Sequence, residues 1–178
     1  MSEKKLVVDQ VKFTYEGLFD LNEFYRLLES FFYQRNWDRR EDMNIEQVFP
    51  TGKHIQWELY PFKNITDYYR MHLSIKARFI DVVKVEVEHQ GSKVKMDQGR
   101  VRLIFDGYIE SDRNTLWESK PFFWFLRTVI EKYFYREHFL KQQKWLLSDF
   151  EELMTRIKTF FNVYREYERG MITRFTVP

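Results

Sequence analysis

From residue 69 to residue 79 the chain alternates strictly between apolar and polar side chains. Tyr69, Met71, Leu73, Ile75, Ala77 and Phe79 share one parity, while Arg70, His72, Ser74, Lys76 and Arg78 share the other. A period of two over this length is the signature of a strand with one face buried and one face wet. Val83, Val85 and Val87 continue the apolar set. Beyond them, a two-residue turn at Gln90 and Gly91 predicts its own register. Glu88 then faces Lys93, Val87 faces Val94, Glu86 faces Lys95, Val85 faces Met96 and Lys84 faces Asp97. Each pair matches in chemistry, and a slip of one residue would lose them all. Past Asp97 the apolar parity moves to Val101, Leu103, Phe105 and Ile109, so a bulge is predicted at or near Gly99. These strands fix an antiparallel meander whose apolar face needs a cover.

The C-terminal third supplies it. Of 34 aromatic residues in the chain, 15 fall between Trp117 and Tyr167. A helix is predicted over residues 120–136, with Ser119 as a cap and Pro121 in its first turn. A second begins near Phe139 and carries Leu146, Phe150, Leu153, Ile157, Phe160 and Tyr164 on one stripe. Leu140, Leu147, Met154 and Phe161 flank that stripe. It is wide enough for a helix lying on a sheet. Gly170 is read as its end, and residues 170–178 as a tail that is flexible or adds an edge strand.

At the N-terminus a strand is predicted over residues 7–15, broken by Gly17. Asp20 and Glu23 form a capping-box variant, with Phe19 and Phe24 as the hydrophobic staple around it. Leu21, Phe24, Leu28, Phe31 and Phe32 give the following helix one apolar face, to about Gln34. Residues 35–50 read as charged and irregular, with Trp37 as an anchor. Ile55, Trp57 and Leu59 mark a strand that Pro61 ends. The predicted fold is one α+β domain over residues 1–178. It has an antiparallel sheet, an N-terminal helix after the first strand, and long C-terminal helices packed on one sheet face.

That element order resembles the helix-grip arrangement of START-like (SRPBCC) proteins. The resemblance implies a sheet wrapped on a long last helix and an apolar small molecule or lipid held between them. Three runs are also similar to a group of small uncharacterised archaeal proteins: Tyr15 to Asp20 (YEGLFD), the hairpin segment 85–102, and Trp117 to Arg127 (WESKPFFWFLR). That likeness implies no assigned activity.

Composition narrows the chemistry. The chain of 178 residues has no cysteine, which removes disulfides, thiolate metal sites and cysteine nucleophiles. Lys and Arg number 29 against 27 acidic residues, too balanced for a dedicated nucleic-acid binder. The first residues hold no apolar core of signal-peptide length, and a cytoplasmic location is expected. His54, His72, His89 and His138 never fall at a metal-pair spacing, and no nucleophile or phosphate-loop motif occurs. No catalytic residue, metal or cofactor is therefore predicted. Asp81 shares the inward parity of its strand. Buried, it could do acid–base work; a bend could instead turn it outward toward Arg100.

Two surfaces remain as candidates. Phe122, Phe123, Trp124 and Phe125 point all round a helix, so one helix–sheet contact cannot bury them all. With Arg127 and Trp145 they form the candidate interaction or ligand site. Arg70, Lys76, Arg78, Arg100 and Arg102 form a basic band on the wet sheet face, suited to an anionic partner. The favoured expectation is a non-enzymatic interaction protein that uses its aromatic C-terminal helices to contact another protein or another copy of itself. An apolar-ligand binder comes second and peripheral membrane contact third.

Overall fold

Two strands of about twenty residues dominate the structure, a computed structural model that describes residues 3–66, 68–89, 92–111 and 135–175. Side chains are described for residues 4–66, 68–87, 93–111 and 140–166. The chain order is β1 (Glu3–Phe19), α1 (Leu21–Gln34), β2 (Glu41–Phe49), β3 (Gly52–Leu59), β4 (Phe62–Asn64), β5 (Tyr69–His89), β6 (Ser92–Ser111) and α2 (Tyr135–Phe175). The six strands form one sheet in the order β1-β6-β5-β3-β2, with β4 paired to β5 beside that path. All pairings are antiparallel. The fold is α+β, with α2 packed on the antiparallel sheet.

The β5–β6 hairpin has the register its side chains require. Glu88 pairs with Lys93, Val87 with Val94, Glu86 with Lys95, Val85 with Met96 and Lys84 with Asp97. The bulge is present, but its extra residue lies in β5. Ile80 pairs with Arg100 and Val83 with Gln98, so Asp81 and Val82 together oppose Gly99. Glycine relieves crowding at this position: a Cβ there would meet the Ile80 carbonyl oxygen at 3.0 Å and Val82 Cα at 3.2 Å. Asp81 adopts φ +55, a left-handed conformation that Asp tolerates better than most residues.

Helix α1 begins and ends on local chemistry. The Asp20 carboxylate accepts from the backbone N–H groups of Asn22 (2.8 Å) and Glu23 (3.0 Å). Asp97, from β6, accepts from the Leu21 N–H at 3.2 Å, so this acid serves the helix start. Phe19 and Phe24 are fully buried around the cap. At the other end Asn36 takes φ +55. The Trp37 N–H bonds the Phe32 carbonyl at 2.8 Å, and the Asn36 N–H bonds that of Tyr33 at 3.2 Å. This is a Schellman stop with Asn at the left-handed position. It turns the chain so that Trp37 enters the core, where it is 4% exposed.

Between sheet and α2 the space is filled with rings. Phe161 packs on Tyr15 at 4.6 Å, Phe13 at 5.3 Å and Phe24 at 5.5 Å between centroids, and Phe150 meets Phe105 at 5.8 Å. Burying rings of this size is the main source of stability here.

Several sequence expectations are corrected. β1 runs on through Gly17 (φ 146) to Phe19 rather than breaking there. Residues 41–49 form β2 instead of irregular chain, and the short strand β4 follows directly after Pro61. Helix α2 continues through Gly170 to Phe175, where a strand-like or flexible tail was expected. One glycine costs a helix about 1 kcal/mol, which a helix of 41 residues tolerates. The predicted helix start near Ser119 and Pro121 lies outside the described residues.

Candidate functional site

An open groove of about 770 Å³ runs between α1, the C-terminal half of α2 and the β5–β6 hairpin. On α1, Glu23, Leu27 and Ser30 recur at helical spacing and form one wall. On α2, Thr155, Arg156, Thr159, Phe160, Val163 and Tyr164 form the other, while Val94 and Met96 of β6 close the groove at the hairpin. Val163 is 60% exposed and Val94 38%, so apolar surface lies open to solvent.

Several of the polar groups that line the groove are already paired. The Tyr164 hydroxyl donates to the Glu23 carboxylate, joining the two helices. Burial raises the Tyr164 pKa above the ordinary phenol value, and the Glu23 charge adds to that. Arg156 donates to Gln34 at 2.9 Å and to Glu152 at 2.6 Å, and lies 5.4 Å from the centroid of the Phe31 ring. Leu27, Val94, Met96, Phe160 and Val163 carry the apolar surface between these pairs.

The location differs from the cleft implied by the helix-grip resemblance. The interval between sheet and α2 is packed with aromatic rings, and the opening lies to its side. Phe122, Phe123, Trp124, Phe125 and Arg127 lie outside the described residues. Trp145 is 46% exposed on α2, with the Lys141 ammonium 5.0 Å from its ring centroid. It sits about 15 Å along the helix from Thr155, so it does not join the groove.

The basic band divides. Arg100 is paired with Asp81, and Arg70 donates to Asn64 at 2.7 Å and lies over the Phe62 ring. Lys76 stands opposite Glu58. Arg78 and Arg102 face each other directly across the β5–β6 ladder, next to Thr14 and Gln56. Asp81 is the outward-turned residue of the bulge, hydrogen-bonded to His54 at 2.9 Å.

Two further polar clusters were not legible in the sequence. His72 Nε2 lies 2.7 Å from Glu110 Oε2, and its ring stacks on Tyr108 at 4.7 Å and 10°. Burial lowers the His72 pKa against the opposing pull of Glu110. Asp149 of α2 is 7% exposed and accepts from Trp37 Nε1 at 2.9 Å and from Lys63 Nζ at 3.3 Å. Both clusters join elements that are distant in sequence. Among the described residues no group of three or more His, Asp or Glu side chains is placed to hold a metal ion. No helix among them is long and apolar enough to cross a membrane.

No protein-family model matches this chain, and no curated protein matches it.

Proposed function

We propose that this chain is a non-enzymatic binding protein whose groove between α1, α2 and the hairpin receives apolar side chains of a protein partner. The single observation that carries this reading is the apolar surface that Val163 and Val94 leave open in the groove. Amphipathic segments dock in such troughs through a few apolar anchors. Val163, Phe160 and Leu27 offer the matching surface.

A second reading is an apolar small molecule or lipid in the same groove. Its volume lies within the range of ligand sites, roughly 300–1,000 Å³, and the helix-grip order of elements favours it. The open side weighs the other way, because small-molecule sites enclose most of their ligand.

Native mass spectrometry of the untagged protein separates the two, because an apolar small molecule would be retained as several hundred daltons of extra mass. A photo-reactive residue at position 163, introduced in the source cells, tests the first. It should capture one protein species, and Leu27→Glu should abolish that capture. Capture unchanged by Leu27→Glu would overturn the groove as the contact surface.

A further inference from the structure

The two edges of the main sheet path are treated differently. β1, at one edge, is broken by register shifts between Leu6 and Val8 and between Val8 and Val11. Gln10 there takes φ +42, and Lys4, Lys5 and Lys12 punctuate the strand. Bulges and lysines of this kind stop an edge from pairing with another strand. β2, at the other edge, has none of these beyond one irregularity between Glu41 and Met43. Its nine residues include no lysine and no proline. Ile45 is 45% exposed, Val48 75% and Phe49 44%.

Backbone geometry shows which groups are on offer. Phe49 and Gly52 pair across a two-residue turn. Hydrogen-bonded and non-hydrogen-bonded pairs alternate from there. Val48, Glu46 and Asn44 therefore turn their N–H and C=O groups away from β3, toward the free edge.

We propose that β2 is a docking edge for β2 of a second copy of this chain, paired antiparallel about a two-fold axis at Ile45. Residue 45 is the midpoint of Glu41–Phe49, so this register overlaps the whole strand. Ile45 meets Ile45 of the second copy, Asn44 meets Glu46, Met43 meets Gln47, Asp42 meets Val48 and Glu41 meets Phe49. No two acids oppose each other. Moving the axis to Asn44 would set Asp42 against Glu46, and moving it to Glu46 would set Glu46 against itself. Like charges placed directly opposite are destabilising, so charge disfavours the two neighbouring registers, and full overlap of the strand favours Ile45 over those further away. The ladder is also in phase, because Asn44 and Glu46 both point their backbone groups outward. This inference does not depend on the groove.

A single strand pair buries less than the ~1,600 Å² of a standard interface, so the dimer is weak and dilution dissociates it. Light scattering on the wild-type protein should show mass rising toward twice that of one chain over about a hundredfold increase in concentration. Ile45→Lys, which sets two ammonium groups face to face, should hold it at one chain. The absence of native cysteine allows a sharper test. In this register the two residues 45 have Cα atoms about 4.5 Å apart, within disulfide reach. Two residues 47 would be about 13 Å apart. Under mild oxidation Ile45→Cys should cross-link at least tenfold faster than Gln47→Cys. Equal rates in the two variants, or a wild-type mass that stays at one chain at every concentration, would overturn the proposal.

Discussion

Asp81 of β5 accepts a hydrogen bond from Arg100 of β6 across the bulge that opposes Gly99. The same carboxylate holds His54 at 2.9 Å. Hydrogen bonds from His54, then Arg100 and Thr51, lower the Asp81 pKa from 3.8 to about 2. The folded state therefore favours the ionised carboxylate. Its contribution to stability is present above about pH 4 and is lost as pH falls through about 2. Asp81→Asn keeps a residue that tolerates the left-handed backbone but removes the charge. Its deficit relative to wild type should be full at neutral pH and should vanish at the acid end. Carbon-detected NMR titration of the Asp81 carboxyl should give a midpoint near 2. A midpoint at the ordinary Asp value would mean that the three donors do not act on it.

What could be read in the sequence was what local chemistry determines. The cap at Asp20, the staple of Phe19 and Phe24, and the hairpin register each depend on a few neighbouring residues. The need for a bulge near Gly99 was visible as a change of parity, but parity cannot say which strand absorbs the extra residue. β2 was hidden because it lies at an edge and is exposed on both faces, so no apolar alternation marks it. β4 is too short to carry any period. The groove could not be read at all. It joins Leu27, Val94 and Val163, which only the packing of both helices on the sheet brings together. The basic band was legible as a set, but the ties of Arg100 to Asp81 and of Arg70 to Asn64 come from tertiary structure.

Trp37 and Asp149 tie the exit of α1 to α2 through one hydrogen bond, buried on both sides. Trp37→Phe keeps most of the apolar volume and removes the donor. Asp149 would retain Lys63 at 3.3 Å and Arg35 at 3.8 Å. Hydrogen bonds to charged groups contribute about 1.5–3 kcal/mol, so a loss of that size is expected in urea unfolding. A loss below about 0.5 kcal/mol would show that the two cations suffice.

Arg78 and Arg102 stand directly opposite each other on the outer sheet face, and among the described residues neither has a carboxylate partner. Arg102→Glu turns a like-charge pair into an opposite-charge pair. A gain of about 0.2–1 kcal/mol is expected. The gain should shrink as salt is raised, because both groups are exposed. Unchanged stability at low salt would show that the two guanidinium groups splay apart.

Phe161 and Val163 lie two residues apart on α2 and should respond in opposite ways. Phe161 is 1% exposed and touches the rings of Phe13, Tyr15, Phe19 and Phe24. Phe161→Ala opens a cavity that these rings, held by the sheet and α1, can collapse into only in part. Truncations of this kind cost about 3–5 kcal/mol. Val163 is 60% exposed in the groove wall. Val163→Ala should change stability by less than about 0.5 kcal/mol, as for other surface sites, while weakening whatever the groove holds. Urea midpoints of the two variants measure the contrast. A large loss from Val163→Ala would mean that the groove is part of the core and not a surface available to a partner.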